Sequence, residues 1–160
     1  MTPGNDPPLL PVEPGFRNTL RAQAAMLWLP LFAGSVGVDR FVLDQLPVAG
    51  LLPVLVGLTA LSAIFVAPDR VYRRLGYAID ESLLRVVRGW LFHTDTIVPF
   101  VRVQHIDVLR GPFDKMFGTA SLIVHTAGTH NSVVILPGLA PDQAASMRET
   151  IRGSIRTDAE

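Results

Sequence analysis

Residues Leu46–Ala67 read LPVAGLLPVLVGLTALSAIFVA, a run of 22 residues without a charged side chain. As an α-helix this run would be about 33 Å long, which matches the roughly 30 Å hydrocarbon core of a bilayer. Helices buried inside soluble proteins rarely reach this length without a charge, so the run predicts a membrane span. Pro47 and Pro53 argue only weakly against a helix, because membrane helices tolerate proline better than soluble ones.

Another uncharged run lies nearer the N-terminus, AQAAMLWLPLFAGSVGV at Ala22–Val38. Extended through Phe41–Leu43, it predicts a span over residues 22–43, followed by the span over 46–67. The connection between them is short, so residues 19–68 are predicted to form a transmembrane helical hairpin. Two alternatives remain, a buried helix pair in a soluble protein and a cleaved signal peptide in the first run.

Positive charge on the two sides of the hairpin predicts its orientation. The connection carries one basic residue, Arg40. The flanks carry five arginines: Arg17, Arg21, Arg70, Arg73 and Arg74. By the positive-inside rule, both chain ends are predicted to be cytoplasmic in a multi-pass protein of the cytoplasmic membrane. An alternative role for Arg70, Arg73 and Arg74 is recognition of anionic lipid headgroups.

Composition agrees with a membrane protein and narrows the function. Hydrophobic residues make up 49% and charged residues 18%, and the mean hydropathy is +0.35. The formal net charge is zero, which argues against a general nucleic-acid binder. Cysteine is absent, so disulfides, thiolate metal sites and thiol nucleophiles are excluded.

Outside the hairpin the pattern changes on both sides. Residues 1–18 are rich in proline and glycine and predict a flexible tail. Residues 69–156 predict a cytoplasmic, mainly β domain, with a turn at Thr94–Asp95 and a helix from Pro141 that stops near Gly153. Its predicted strands lie at Leu75–Glu81, Leu83–His93, Thr96–Gly111 with a break or edge at Pro99, Gly118–Gly128 and residues 132–138.

The order of these segments carries a family resemblance. Two apolar helices and a basic boundary precede LGY-x-ID, VP-x-x-RVQHIDVLRGP, FG-x-A-x-L-x-VHTAGT and a helix. Over Arg17–Arg152 the chain resembles the YdbS-like bacterial pleckstrin-homology (bPH2) membrane proteins, once grouped as a domain of unknown function. The motif residues, expected to be structural, are Pro99, Arg102, Gln104, His105, Asp107, Gly111, Pro112, Gly118, His125 and Gly128.

The resemblance implies a pleckstrin-homology-like fold, in which two antiparallel sheets are capped by a C-terminal helix. It implies neither enzymatic activity nor a cofactor. It also implies a membrane-protein partner with similar domains, and a homo-oligomer is the other possibility. One departure is Phe113-Asp-Lys115, which replaces a bulkier charged pattern after Gly111-Pro112.

His105 and Asp107 invite an acid–base interpretation, because residues two apart on a strand share one face. Such a pair also needs a nucleophile, and none of the nearby hydroxyls lies in a recognisable catalytic motif. These hydroxyls are Thr119, Ser121, Thr126 and Thr129. We therefore expect His105 and Asp107 to hydrogen-bond across strands, with Arg102 and Arg110 as possible members of the same network.

Metal and phosphate sites are not expected either. His125 and His130 flank a turn, but without cysteine and with scattered carboxylates no metal site is predicted. The stretch Gly111–Lys115 lacks the order of a phosphate-binding loop.

The leading hypothesis is therefore a non-catalytic, membrane-anchored module that acts as an assembly or adaptor subunit with another membrane protein. The alternative is a sensor of anionic lipid headgroups at the cytoplasmic membrane surface. Its tentative binding residues are Arg70, Arg73, Arg74, Arg85 and Arg88. A hydrolase using His105 and Asp107 is a third possibility.

Overall fold

The structure is a computed structural model that describes residues 8–80, 82–90, 92–127 and 133–157. Residues Arg17–Arg70 form one compact unit, the membrane unit. The described residues before Arg17 and after Arg70 form the other, the β-rich unit.

The membrane unit contains two long apolar helices. Helix α1 spans Gly15–Val38 and continues as a π-helical turn over Asp39–Leu43. Helix α2 spans Leu51–Leu61 and continues through a π-helical turn at Ser62–Val66 into α3, Ala67–Arg73. Only 11% of the most apolar window of each helix is buried, so their side chains are not covered as in the core of a soluble protein. Together with their length, this exposure fits two membrane spans.

The predicted span boundaries, 22–43 and 46–67, were wrong by several residues. The helices run over Gly15–Leu43 and Leu51–Arg73. Charged residues in the first and last turns are accommodated because they pair with each other: Arg21 Nη2 donates to Asp69 Oδ1 at 3.0 Å, and Arg17 Nε lies 3.7 Å from the same oxygen. The guanidinium of Arg21 also lies 5.8 Å from the centre of the Phe65 ring, in a cation–π contact.

The connection at residues 44–50 is a turn held by Asp39. The Asp39 side chain is buried and its Oδ1 accepts a hydrogen bond from the Gly50 N–H at 2.8 Å. Gly50 adopts a φ of 83°, a conformation that glycine adopts without strain. Asp39 is therefore a structural acceptor that positions the start of α2.

The β-rich unit contains seven strands in two antiparallel sheets and two further helices. The four-stranded sheet has the order β1-β2-β3-β4 and the three-stranded sheet the order β5-β6-β7. The strands are β1 Leu10–Pro11, β2 Gly76–Ile79, β3 Leu83–Gly89, β4 His93–Pro99, β5 Val103–Leu109, β6 Ala120–Thr126 and β7 Val133–Leu139. A 3₁₀ turn at Phe100–Arg102 joins the sheets, α4 spans Pro112–Phe117 and α5 spans Pro141–Thr157.

The core forms between the sheets and α5. Alternate residues of β3 and β6, such as Leu84, Val86, Leu122 and Val124, are inaccessible to solvent. Ala144, Met147 and Ile151, which recur at helical spacing in the sequence, form the buried face of α5, and Leu139 at the end of β7 is buried as well. Two antiparallel sheets with a C-terminal helix confirm the predicted fold class.

The prediction of a flexible tail over residues 1–18 was wrong for residues 8–18, the part of it that the structure describes. Leu10 and Pro11 form β1 by pairing with Tyr77 and Gly76, and α1 begins at Gly15. Val12 and Phe16 are buried, which explains why this segment is ordered despite its prolines. Residues 1–7 lie outside the described residues.

Three other boundaries of the predicted 69–156 domain differ from the structure. The membrane helix continues to Arg73, so the β-rich fold begins at β2. The turn predicted at Thr94–Asp95 lies inside β4, because the chain has already left β3 at Gly89. Helix α5 passes through Gly153 to Thr157, since one glycine costs only about 1 kcal/mol in a helix. Pro99 does end the edge strand β4, as predicted.

Candidate functional site

His105, Asp107 and His125 form one cluster on the outer face of the three-stranded sheet. His105 Nε2 lies 2.9 Å from Asp107 Oδ1, and His125 Nε2 lies 3.4 Å from Asp107 Oδ2. His105 and His125 are cross-strand partners, with ring centroids 5.8 Å apart. The Asp107 carboxylate thus links β5 to β6 through His125, whereas its contact with His105 lies within β5 and not across strands as expected. The three side chains are 39–68% exposed, so this is a surface contact and not an enclosed pocket.

The candidate nucleophiles are not placed to react with this cluster. Thr119 is fully buried and its hydroxyl donates to Asp114 Oδ1 at 2.8 Å. Ser121 lies on the same face of β6 as His125 but four residues away, roughly 13 Å along a strand. Thr126 lies on the opposite face of β6, and Thr129 lies outside the described residues.

The predicted polar network around the cluster is also smaller than expected. Arg110 Nε donates instead to the Thr119 carbonyl at 3.3 Å. Arg102 is exposed, and within the described ranges no bond of its side chain to the histidines is present. Nor is any group of three or more His, Cys, Asp or Glu residues arranged to hold a metal ion in that part of the chain. His130 lies outside it.

The Gly-Pro motif after β5 builds the short helix α4, which sequence reasoning missed. Pro112 occupies its first turn, and the Gly111 N–H donates to Asp114 Oδ2 at 3.0 Å. Gly118 closes it with a φ of 69°. Asp114 therefore holds both ends of the loop, since its other oxygen accepts from Thr119. Asp114 belongs to the stretch in which the chain departs from the family pattern, and here its role is structural.

The other motif residues shape the path of the chain. Gln104 is the extra residue of a β-bulge, because the β5–β6 register shifts between Val103 and His105. The Arg102 carbonyl accepts a hydrogen bond from the Ala127 N–H at 2.8 Å. Gly128 lies outside the described residues.

The strand arginines Arg85 and Arg88 do not form a joint anion-binding patch. Three residues apart on β3, they point to opposite faces of the sheet. Arg85 donates to both carboxylate oxygens of Asp95 at 2.6–3.0 Å. Arg88 Nη2 donates to the Ile135 carbonyl of β7, and burial lowers the pKa of its guanidinium. Both side chains have internal partners, which leaves fewer donors for an outside anion.

The Arg85–Asp95 pair predicts a pH dependence of stability. Hydrogen bonds from Arg85 hold the pKa of Asp95 below its usual value. The stabilisation is present above the unfolded-state pKa of about 3.9 and is lost as pH falls through the lower folded pKa. At pH 7, Asp95→Asn should lower the free energy of unfolding by at most about 1 kcal/mol, because the pair is partly exposed. In urea titrations, this difference should shrink towards pH 3. Arg85→Gln should behave in the same way, and a pH-independent difference would contradict the pairing.

The boundary arginines remain available. Arg70, Arg73 and Arg74 are exposed. Arg74 Nη1 donates to the Trp90 carbonyl at 2.9 Å, whereas no bond of the Arg70 or Arg73 side chain is present within the described residues. Of the five tentative anion-binding residues, Arg85 alone has an acidic partner in the described part of the chain, and Arg88 is bonded to a strand carbonyl, so the boundary arginines are the most available.

A groove between β5 and α5 was not predicted. Its volume is about 580 Å³, and Val103, Ile106 and Ile155 supply apolar lining. Arg148 and Arg152, one helical turn apart on α5, stand beside Gln104 and His105 of β5. The four-residue spacing of the arginines was readable from the sequence, but their proximity to β5 depends on the tertiary fold.

Comparisons with known proteins agree with this architecture. A family model described as a bacterial PH domain matches residues 25–155, more than half of the chain. The chain is 30% identical over 104 residues to the UPF0699 transmembrane protein YdbS of Bacillus subtilis (strain 168). That match covers 65% of this chain and 64% of the relative's own length. No solved structure matches significantly. Neither description names a reaction.

Proposed function

The chain belongs to the bacterial PH domain family, and on that premise we propose that it is a non-catalytic assembly subunit that binds another membrane protein. The hairpin anchors the β-rich unit, with both flanks of the hairpin on the cytoplasmic side. The excess of flanking arginines over the single Arg40 of the connection supports that orientation.

The observation that carries the proposal is the groove between β5 and α5. In the described residues β5 pairs with β6 alone, so one row of its backbone N–H and C=O groups has no strand partner. A partner segment in extended conformation can satisfy such a row by adding a strand. A lipid headgroup has no comparable row of alternating donors and acceptors. The free edge therefore favours a polypeptide over a lipid as occupant.

The side chains of the groove indicate the chemistry of that segment. Arg152 is exposed and has no acidic partner in the described part of the chain, and Arg148 pairs only with its neighbour Glu149. Val103 and Ile106 supply apolar contact area. We therefore expect an extended segment with acidic residues opposite α5 and apolar residues against β5. β4, an edge strand of the other sheet, is less suited, because it ends in Pro99 and carries the Arg85–Asp95 pair.

Photo-crosslinking in native membranes tests this function. A photoreactive residue at Gln104 of the full chain should give a discrete adduct with a second membrane protein. The double change Arg148→Glu and Arg152→Glu should remove the adduct, whereas Lys115→Glu, an exposed charge reversal on α4, should preserve it. Absence of an adduct, or an adduct insensitive to the α5 change, would contradict the proposal. An adduct of twice the chain's mass would show that the partner is a second copy of this chain and not a different membrane protein.

Sensing of anionic lipid is the second candidate, favoured by the exposed Arg73 and Arg74. The internal partners of Arg85 and Arg88 argue against its extension onto the sheet. The two candidates are separated by measuring the Gln104 crosslink, and the accessibility of the β-rich unit to added protease, in neutral and in anionic vesicles. For a sensor, the crosslink or the protease accessibility should change with the content of anionic lipid. For an assembly subunit, neither needs to change.

A further inference from the structure

Two exposed aromatic residues flank the turn between β3 and β4. Trp90 is 49% exposed and Phe92 is 79% exposed. Among the described residues of the β-rich unit, no other tryptophan, tyrosine or phenylalanine is as exposed; Phe16, Tyr77 and Phe100 are buried. Solvent exposure of a Trp and a Phe so close together is unfavourable in water, so an occupant for this surface is expected.

The turn is tied to the chain at the point where the second membrane helix ends. The apolar helix closes at Arg73, and Arg74 is the next residue. The Arg74 guanidinium donates to the Trp90 carbonyl at 2.9 Å, and Arg74, Gly89, Trp90 and His93 line one small cavity. A residue that directly follows a membrane span lies close to the headgroup layer, and the hydrogen bond keeps the Trp90 backbone beside it.

The residue types at this turn match the interfacial layer of a bilayer. Tryptophan is enriched at membrane interfaces, because its ring is apolar while its N–H still donates a hydrogen bond. Phenylalanine adds apolar area that inserts among the upper acyl chains. The exposed cations Arg73 and Arg74 complement the phosphates of the headgroups. A soluble protein partner would offer no reason for this turn to be bonded to the end of the membrane helix.

We propose that Trp90 and Phe92 form a second membrane contact, in which their two side chains insert into the headgroup layer of the bilayer. The occupant is the lipid interface itself, and the contact requires no particular anionic lipid. It would restrict rotation of the β-rich unit about its connection to α3. The inference is independent of the proposed partner, because it concerns the β3–β4 turn and not β5 or α5.

Fluorescence quenching in purified, reconstituted protein tests this contact without any partner. Trp28 and Trp90 are the two tryptophans of the chain, so Trp28→Phe leaves Trp90 as the only reporter. In vesicles of neutral lipid brominated near the top of the acyl chains, Trp90 emission should be at least halved relative to unbrominated lipid. Phe92→Asp should restore most of that emission, because a carboxylate opposes insertion.

Two controls make a negative result informative. Trp90→Phe leaves Trp28 of α1 as a positive control; because Trp28 lies near the middle of its span, it should be quenched by lipid brominated near the ends of the acyl chains in any correctly inserted sample. The negative control is the triple variant Trp28→Phe, Trp90→Phe and Met116→Trp, whose single tryptophan lies on α4. Met116 is 66% exposed, and a tryptophan at this position should not be quenched. Quenching of Trp28 without quenching of Trp90 would overturn the inference. Equal quenching at positions 90 and 116 would also overturn it, because the effect would then not be specific to the turn.

Discussion

Replacing Gly138 with alanine is expected to lower the free energy of unfolding of the β-rich unit by about 2–4 kcal/mol. Gly138 has a φ of 77°, in the left-handed region where a Cβ atom is strained. A Cβ built there would also lie 2.7 Å from Cβ and Cγ of Phe16, which is itself buried. The carbonyl of Gly138 itself accepts a hydrogen bond from the Glu13 N–H at 2.8 Å. The backbone at Gly138 therefore cannot move away from Phe16 without losing that bond.

Gly118→Ala separates the two contributions. Gly118 has a φ of 69°, but a Cβ there would meet no atom within 4 Å. We expect it to cost only the backbone strain, about 1–2 kcal/mol, in urea titrations of the detergent-solubilised protein. Equal losses for the two variants would show that contact with Phe16 contributes nothing, and would contradict the packing of Phe16 against Gly138 of β7.

The double change Leu58→Arg and Leu61→Arg is expected to prevent stable insertion of the second span. Both side chains are apolar and more than half exposed in the membrane unit, at 60% and 56%. Two arginines near the middle of a span raise the free energy of insertion by about 5–8 kcal/mol, which is comparable to the total stability of many proteins. Because α1 would still anchor the chain, the measured quantity is the labelling of a Lys115→Cys thiol by a membrane-impermeant maleimide in sealed right-side-out vesicles. Without the second span the β-rich unit would lie on the outer side and be labelled.

Arginines at two equally exposed apolar positions of the β-rich unit provide the matched control. Leu109 and Met116 are 57% and 66% exposed, and their replacement by arginine should leave the Lys115→Cys thiol unlabelled until the vesicles are permeabilised. If the thiol of the Leu58, Leu61 variant also stayed unlabelled in sealed vesicles, the surface of α2 would not face lipid.

Apolar runs were sufficient to predict the hairpin, but not its ends. Charge-free length identified the spans, whereas the true helices include Arg17 and Arg21 at one end and Asp69 at the other. Their pairing joins residues 48 apart in the chain for Arg21 and Asp69, and no local pattern indicates it. The same pairing explains why charges are tolerated within the helical turns.

Elements of the β-rich unit were predictable where a periodic pattern was long. The helix from Pro141 was predicted correctly, and its buried face consists of Ala144, Met147 and Ile151, which recur at helical spacing. Strand β1 was missed because it has two residues, one of them proline, and is ordered by pairing with β2. Helix α4 has six residues, but its signal was present, since Pro112 in the first turn followed by Asp114 is typical of a helix start.

The candidate sites depended more strongly on tertiary structure. The spacing of His105 and Asp107 correctly indicated one face of a strand, but the role of His125 follows from the β5–β6 register. Arg85 and Arg88 were grouped by charge, although a three-residue separation on a strand puts them on opposite faces. The β5–α5 groove and the bond between Arg74 and Trp90 join residues distant in sequence, so only the fold reveals them.

The central claim, a hairpin across the membrane with the β-rich unit on the cytoplasmic side, is most directly tested by labelling single cysteines. The chain contains no cysteine, so Gln45→Cys in the connection and Lys115→Cys on α4 each introduce one thiol. In sealed right-side-out vesicles, a membrane-impermeant maleimide should label Gln45→Cys at once and Lys115→Cys only after permeabilisation. Labelling of Lys115→Cys in sealed vesicles as fast as that of Gln45→Cys would contradict the claim.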